Sequence, residues 1–329
     1  RVVSRTERDM RDFPFIDFFL PDEGEAPMRN LVAACLGVAS PAHARVSAID
    51  GCLALAGDEV VGTPMGRFNG DINEIPSPYL GGYMDRFLGE RDYLPIIQTS
   101  RGCPYHCSFC VSGKDTWNKI KVFDVERVKE EFEYVLGRTV NRYLRLADEN
   151  FGILPRDVGL AEYIMERRRQ TGFPNAVSIY THKHPTERVR KINLLMKDCL
   201  PFCLSFQTID KGVLDNITRF NLDEDEVQGA VEFTRENNLT LVTELIYPLP
   251  GETLESYLAG IDYLLEKRFE SISISQLIVL KGSQMDLPEV RERFGFVTKF
   301  MVADNGYTTH PEMENVEYDE FVVATDSMS

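Results

Sequence analysis

The chain has 329 residues, 43% of them hydrophobic, enough for one large or two medium domains around a sizeable core. Its 52 acidic and 36 basic side chains leave a formal net charge of -16, which counts against binding the phosphate backbone of a nucleic acid. No apolar run approaches the ~20 residues of a membrane span, and the opening Arg1-Val-Val-Ser-Arg-Thr-Glu-Arg shows no signal-peptide pattern. The chain opens on Arg1 and closes on Met328-Ser329, so it reads as excised from something longer.

Residues 1–60 read as a small α/β segment. Phe13-Pro-Phe-Ile-Asp-Phe-Phe-Leu20 is a strand-like run, an acidic Gly turn follows, and Met28 to Leu36 is an apolar helical stretch. His43, in Pro41-Ala-His-Ala, reads as an ordinary surface histidine. Residues 61–92 are dense in Gly and Pro and read as a connector, with Tyr79, Leu80 and Phe87 as packing anchors.

From residue 93 the periodicity becomes regular. Strands are predicted at 93–99, 142–148, 176–181, 202–208, 239–247 and 271–280. Helices are predicted at 124–136, 156–170, 186–197, 210–218 with 223–237, and 253–267. Six strands alternating with helices imply a parallel sheet with right-handed crossovers, and chemistry then gathers at the carboxyl ends of the strands. Residues 286–329 form a C-terminal extension beyond this region at 93–285.

Directly after the first strand comes Gln98-Thr-Ser-Arg-Gly-Cys103-Pro-Tyr-His-Cys107-Ser-Phe-Cys110, three cysteines at C-x3-C-x2-C spacing. An iron–sulfur cluster closed by protein usually takes four cysteines, so three on one loop read as a site with room for a small molecule. A zinc site would show two C-x2-C pairs or a Cys/His set, and only Cys107 and Cys110 form such a pair. Seven cysteines, an odd count spread over a long chain, do not make a disulfide framework.

This spacing, with Phe109 before the last cysteine, resembles the signature of the radical S-adenosylmethionine (radical SAM) enzymes. The resemblance implies a partial (β/α)6 TIM-like barrel, preceded here by the small α/β segment, with Cys103, Cys107 and Cys110 holding a 4Fe–4S cluster that binds S-adenosylmethionine. It further implies a reductant such as flavodoxin or ferredoxin and a small-molecule substrate. Such an oxygen-sensitive cluster fits a reducing cytoplasm. The run Ile16-Asp-Phe-Phe-Leu-Pro-Asp-Glu-Gly-Glu25 resembles the end of the cobalamin-binding domain in the cobalamin-dependent branch, which implies cobalamin and methylation or rearrangement of a substrate. No D-x-H-x-x-G motif, which would supply an axial histidine, occurs in the chain.

The same resemblance marks further residues. Leu146-Ala-Asp148-Glu149-Asn150 stands where the family holds the methionine ammonium, a task suited to a carboxylate, although Asp148 or Asn150 could instead cap the following helix. Ser205 and Gln207 at the end of the fourth strand are implied to touch the ribose, and Arg219 to pair the methionine carboxylate through its planar fork. Glu244 on the fifth strand could reach the cofactor or Arg219, while Thr253 caps the next helix. Leu277 on the sixth strand and Phe109 are implied to flank adenine. Tyr180 and His182 on the third strand are the substrate-facing candidates for proton transfer, or else core-edge polar residues. Cys199 and Cys203 read as packing thiols. The alternatives are a cobalamin-free radical SAM enzyme, and a non-catalytic zinc module.

Overall fold

The computed structural model describes residues 10–11, 13–21, 23–38, 48–63, 70–113, 117–310 and 313–329, with 303–310 and 313–317 described by their backbone alone. His43 lies outside the described residues. The chain divides into two compact units, Arg1–Pro76 and Ser77–Ser329.

The first unit holds α1 (Glu25–Leu36) and a hairpin of β1 (Leu53–Ala56) and β2 (Glu59–Gly62). The hairpin turns at Gly57-Asp58, with Gly57 at φ +65, a conformation glycine takes without a Cβ penalty. The predicted strand over 13–20 reduces to a single bridge between Phe19 and Leu53. Pro14 brings no amide to a ladder, and the Ile16 amide turns back to the Phe13 carbonyl at 3.0 Å instead.

The second unit contains the predicted β/α alternation. Its strands are β3 (Ile96–Ile97), β6 (Tyr143–Leu146), β7 (Ala176–Ser178), β8 (Phe202–Gln207), β9 (Leu241–Tyr247) and β10 (Ser271–Gln276), all within the predicted ranges. After a short helix α2 (Asp85–Leu88), the helices between them are α3 (Val125–Leu136), α4 (Asp157–Thr171), α5 (Glu187–Leu195), α6 (Lys211–Asn216), α7 (Glu224–Asn237) and α8 (Leu254–Glu266). The strands pair in parallel as two three-stranded sheets, β3-β6-β7 and β8-β9-β10. Between the two halves the Val177 amide donates to the Cys199 carbonyl at 3.1 Å.

Alternation fixes which face of each strand meets the helices. Ile97 and Leu146 line one small interior cavity together with Phe132 of α3 and Leu160 and Ile164 of α4. Phe202, Leu204, Leu241 and Leu245 pack on Val227 and Ala230 of α7 and Leu264 of α8. The opposite face therefore presents Ile96, Arg145 and Ser178 on one half, and Cys203, Ser205 and Glu244 on the other. Thr253 caps α8 as predicted, in a reciprocal capping box with Ser256.

Two parts of this unit were not foreseen. A short antiparallel clamp, β4 (Ser100–Arg101) with β5 (Lys121–Val122), closes the base of the cysteine loop. Beyond α9 (Pro288–Arg293) the extension forms a long antiparallel ribbon of β11 (Val297–His310) and β12 (Met313–Ala324). Its end docks beside β10, with the Val322 amide on the Leu277 carbonyl at 2.9 Å and the Arg291 guanidinium clamping both Glu320 oxygens at 2.6 and 2.8 Å. Among the described residues no helix is long and apolar enough to cross a membrane.

Candidate functional site

The cysteine loop leaves the carboxyl end of β3, and its path is set by backbone. The Cys103 amide donates to the Trp117 carbonyl at 2.8 Å, and the Cys110 amide to the Cys107 carbonyl at 3.1 Å. The Ser108 amide donates to the Ile217 carbonyl at 3.0 Å, tying the loop to the end of α6. Two glycines are obligatory. Gly102 sits at φ +110 and a Cβ there would stand 2.5 Å from the Lys119 carbonyl oxygen; at Gly113 a Cβ would stand 2.3 Å from that of Cys107. All three thiols are free.

Two side-chain donors reach the sulfurs. Asn150 Nδ2 donates to Cys103 Sγ at 3.2 Å, and Arg219 Nη1 donates to Cys107 Sγ at 3.4 Å. Burial pushes the Cys103 and Cys110 thiols up, a tendency that a bound iron would reverse. The three sulfurs do not converge as ligands of a single ion would, and among the described residues no three His, Cys, Asp or Glu side chains do. Thiolates that each bind a different iron of a cubane have no need to converge so tightly.

The predicted trio after β6 separates into different tasks. Asp148 is 1% exposed and its oxygens take three donors: the Thr99 amide at 2.7 Å, Thr99 Oγ1 at 2.5 Å and Ser100 Oγ at 2.8 Å. It braces the root of the cysteine loop against the end of β6. Glu149 accepts Ser112 Oγ on Oε1 at 2.5 Å, while its Oε2 is buried without a partner. Neither Asp148 nor Asn150 caps α4, where Asp157 instead accepts the Gly152 and Leu154 amides at 2.8 and 3.0 Å.

Across the site, β8 ends in a register shift between Ser205 and Gln207, with Gln207 at φ 69. Thr218, a β-branched residue at φ 53, turns the chain after α6. Arg219 donates Nη2 to the Ser205 carbonyl, and its Nε is buried without a partner. Glu244 makes no ion pair with Arg219; it accepts Gln207 Nε2 at 3.5 Å. Phe109 packs against the cluster of Ile217, Leu249, Leu277 and Met285. Leu277 is 2% exposed, and its amide and carbonyl are taken by the Tyr247 carbonyl and the Val322 amide. The unforeseen ribbon therefore takes the carbonyl of the residue that was expected to flank adenine.

The third-strand pair also parts company. Tyr180 is 54% exposed beneath the Arg145 guanidinium, 5.5 Å from its ring centroid. His182 instead meets the cysteine loop: its Nε2 lies 2.8 Å from the Tyr105 hydroxyl. Cys199 is buried as expected, while the Cys203 thiol, pushed up to about 11 by burial, contacts Ser205 Oγ at 3.5 Å. Sequence reasoning missed Tyr105, Ser112 and the Thr99–Ser100 brace. The one signal for Tyr105, Thr99 and Ser100 was membership of the loop itself, and Ser112 lies just beyond it.

Comparisons with known proteins bear on the family and the fold. The Radical SAM superfamily model matches residues 97–264. The chain is 33% identical over 339 residues to the cobalamin-dependent radical SAM methyltransferase TokK of Streptomyces tokunonensis, covering 99% of this chain and 48% of that protein. It is 32% identical to the 2-(S-pantetheinyl)-carbapenam-3-carboxylate methyltransferase of Streptantibioticus cattleyicolor, covering 96% of this chain and 47% of that one. It thus spans about half the length of these curated relatives. Among solved structures, the fold resembles the radical S-adenosylmethionine methyltransferase TsrM of Kitasatospora setae, with a TM-score of 0.65 at 16% identity over 95% of this chain and 65% of that one. The cysteine loop, the six-strand alternation and the matched segment together place this chain in the radical SAM superfamily.

Proposed function

We propose that this chain is the radical-generating part of a cobalamin-dependent radical SAM methyltransferase acting on a small molecule. The observation that carries the reading is a pair of buried, unpartnered polar atoms beside the sulfurs, Glu149 Oε2 and Arg219 Nε. A zwitterionic amino acid satisfies both: its ammonium pairs with Glu149 and its carboxylate with Arg219. Cys103, Cys107 and Cys110 hold a 4Fe–4S cluster, which when bound supplies the electron that splits the sulfonium of S-adenosylmethionine and yields a 5'-deoxyadenosyl radical.

The chain's own residues do the positioning. Asn150 and Arg219 donate to the thiolates, Ser112 orients Glu149, and Asp148 fixes the loop's root. Ser205 and Gln207 at the end of β8 form the ribose-facing group, Glu244 on β9 accepts from Gln207, and Phe109 packs at the edge of the site. The cobalamin component rests on the name of the TokK relative and on the run Ile16–Glu25. The described residues of Arg1–Pro76 include no histidine and form one main helix and one hairpin, which by themselves do not cradle a corrin. The electron comes from a reductant of the flavodoxin or ferredoxin class.

The test is anaerobic reconstitution with iron and sulfide, then reduction with S-adenosylmethionine in the presence and absence of hydroxocobalamin. Release of 5'-deoxyadenosine with S-adenosylhomocysteine supports methyl transfer; deoxyadenosine alone favours rearrangement or oxidation. A Cys107→Ala chain that still cleaved S-adenosylmethionine would sink the assignment.

A further inference from the structure

His182 and Lys183, at the end of β7, grip the middle of the cysteine loop from two sides. His182 Nδ1 lies 3.2 Å from the His184 carbonyl, which can only accept, so Nδ1 carries the proton and Nε2 is the acceptor. The Tyr105 hydroxyl therefore donates to Nε2 across 2.8 Å, which fixes the ring of the residue midway between Cys103 and Cys107. His184 is itself held by Glu226 at 3.1 Å. Over that fixed ring stands the Lys183 ammonium, 3.9 Å from the centroid, anchored by a 2.9 Å hydrogen bond to the Phe220 carbonyl. Half-buried, Lys183 meets no carboxylate at ion-pair distance among the described residues, so its charge is not cancelled locally.

We propose that Lys183 is a positioning residue that raises the reduction potential of the iron–sulfur cluster held by Cys103, Cys107 and Cys110. This rests on the cluster reading above and goes beyond it. Accepting one electron from the external donor adds one negative charge to the cluster and its thiolates. A cation fixed nearby favours that more negative state. Arg219 has an anionic partner once S-adenosylmethionine binds, whereas Lys183 stands on a neutral ring and a carbonyl in either state. The Tyr105–His182 hydrogen bond keeps the ring from carrying the ammonium away from the loop.

The experiment is a potentiometric titration of the reconstituted full chain, followed by electron paramagnetic resonance, with and without S-adenosylmethionine. In Lys183→Met the reduced-to-oxidised ratio at the wild-type midpoint should fall about tenfold, a shift of about 59 mV for one electron. Lys183→Arg should return the midpoint toward wild type, and the shift should persist without S-adenosylmethionine. Should Lys183→Met fail to take up iron, Lys183→Gln, which keeps a donor for the Phe220 carbonyl, carries the same expectation. A neutral variant with full iron content and an unmoved midpoint overturns the proposal while leaving the cluster reading intact. A wild-type chain that assembles no cluster overturns both.

Discussion

At the scale of single residues, the site is a set of buried polar groups sorted by whether their partners are present. Asp148 is satisfied three times over, so its role is structural. Asp148→Ala leaves the Thr99 amide and the Ser100 hydroxyl without an acceptor and should destabilise the second unit by about 2–4 kcal/mol, read from urea unfolding. Glu149 is satisfied only once. Glu149→Gln should leave unfolding within about 1 kcal/mol of wild type yet weaken S-adenosylmethionine binding roughly tenfold or more, the worth of one charge-assisted contact. Glu252, 1% exposed and bonded to Thr208 at 2.8 Å, has its pKa raised by burial from 4.5 to about 7. The folded state binds its proton more tightly than the unfolded one. The stability it contributes is therefore full below about pH 4.5 and is lost as pH rises through 7. Glu252→Gln should flatten the fall in melting temperature across that window; an unchanged slope would remove Glu252 as its source.

At the scale of elements, the cysteine loop depends on two glycines and one clamp. Gly113→Ala brings a methyl to 2.3 Å from the Cys107 carbonyl, so the loop must shift at a cysteine. Iron content after reconstitution should drop at least severalfold, while far-ultraviolet circular dichroism stays near wild type. The six strands and the helices between them were legible because apolar periodicity over 10 to 15 residues is a strong local signal. The hairpin β1–β2 and the ribbon β11–β12 were not. Each half of the first is four residues long, and β12 begins in an acidic stretch, Met313-Glu-Asn-Val-Glu-Tyr-Asp-Glu320, which reads as a solvated tail until its partner strand is known. Conversely, Phe13–Leu20 has a strand's composition but only one bridged residue, because composition says nothing of Pro14's missing donor or of which neighbour is at hand.

At the scale of the whole molecule, a net charge of -16 means that self-repulsion opposes compaction. Raising salt from about 10 to 300 mM should lift the melting temperature by roughly 2–4 °C, since each kcal/mol is worth about that in a domain of this size. The sequence by itself determined the family, the order of strands and helices, and the three cysteines, because each is written in local spacing and period. The tertiary structure decided which polar residue does which task. Asp148, Glu149 and Asn150 are adjacent in sequence, and nothing in their order says that the first meets Thr99 and Ser100, the second Ser112, and the third Cys103. It also set His182 against Tyr105 of the cysteine loop, and engaged the Leu277 carbonyl with a strand from the far end of the chain. Such pairings join residues 30 to 80 positions apart, and hydrogen bonds at that separation are fixed by how sheets and loops meet in space rather than by any pattern along the chain.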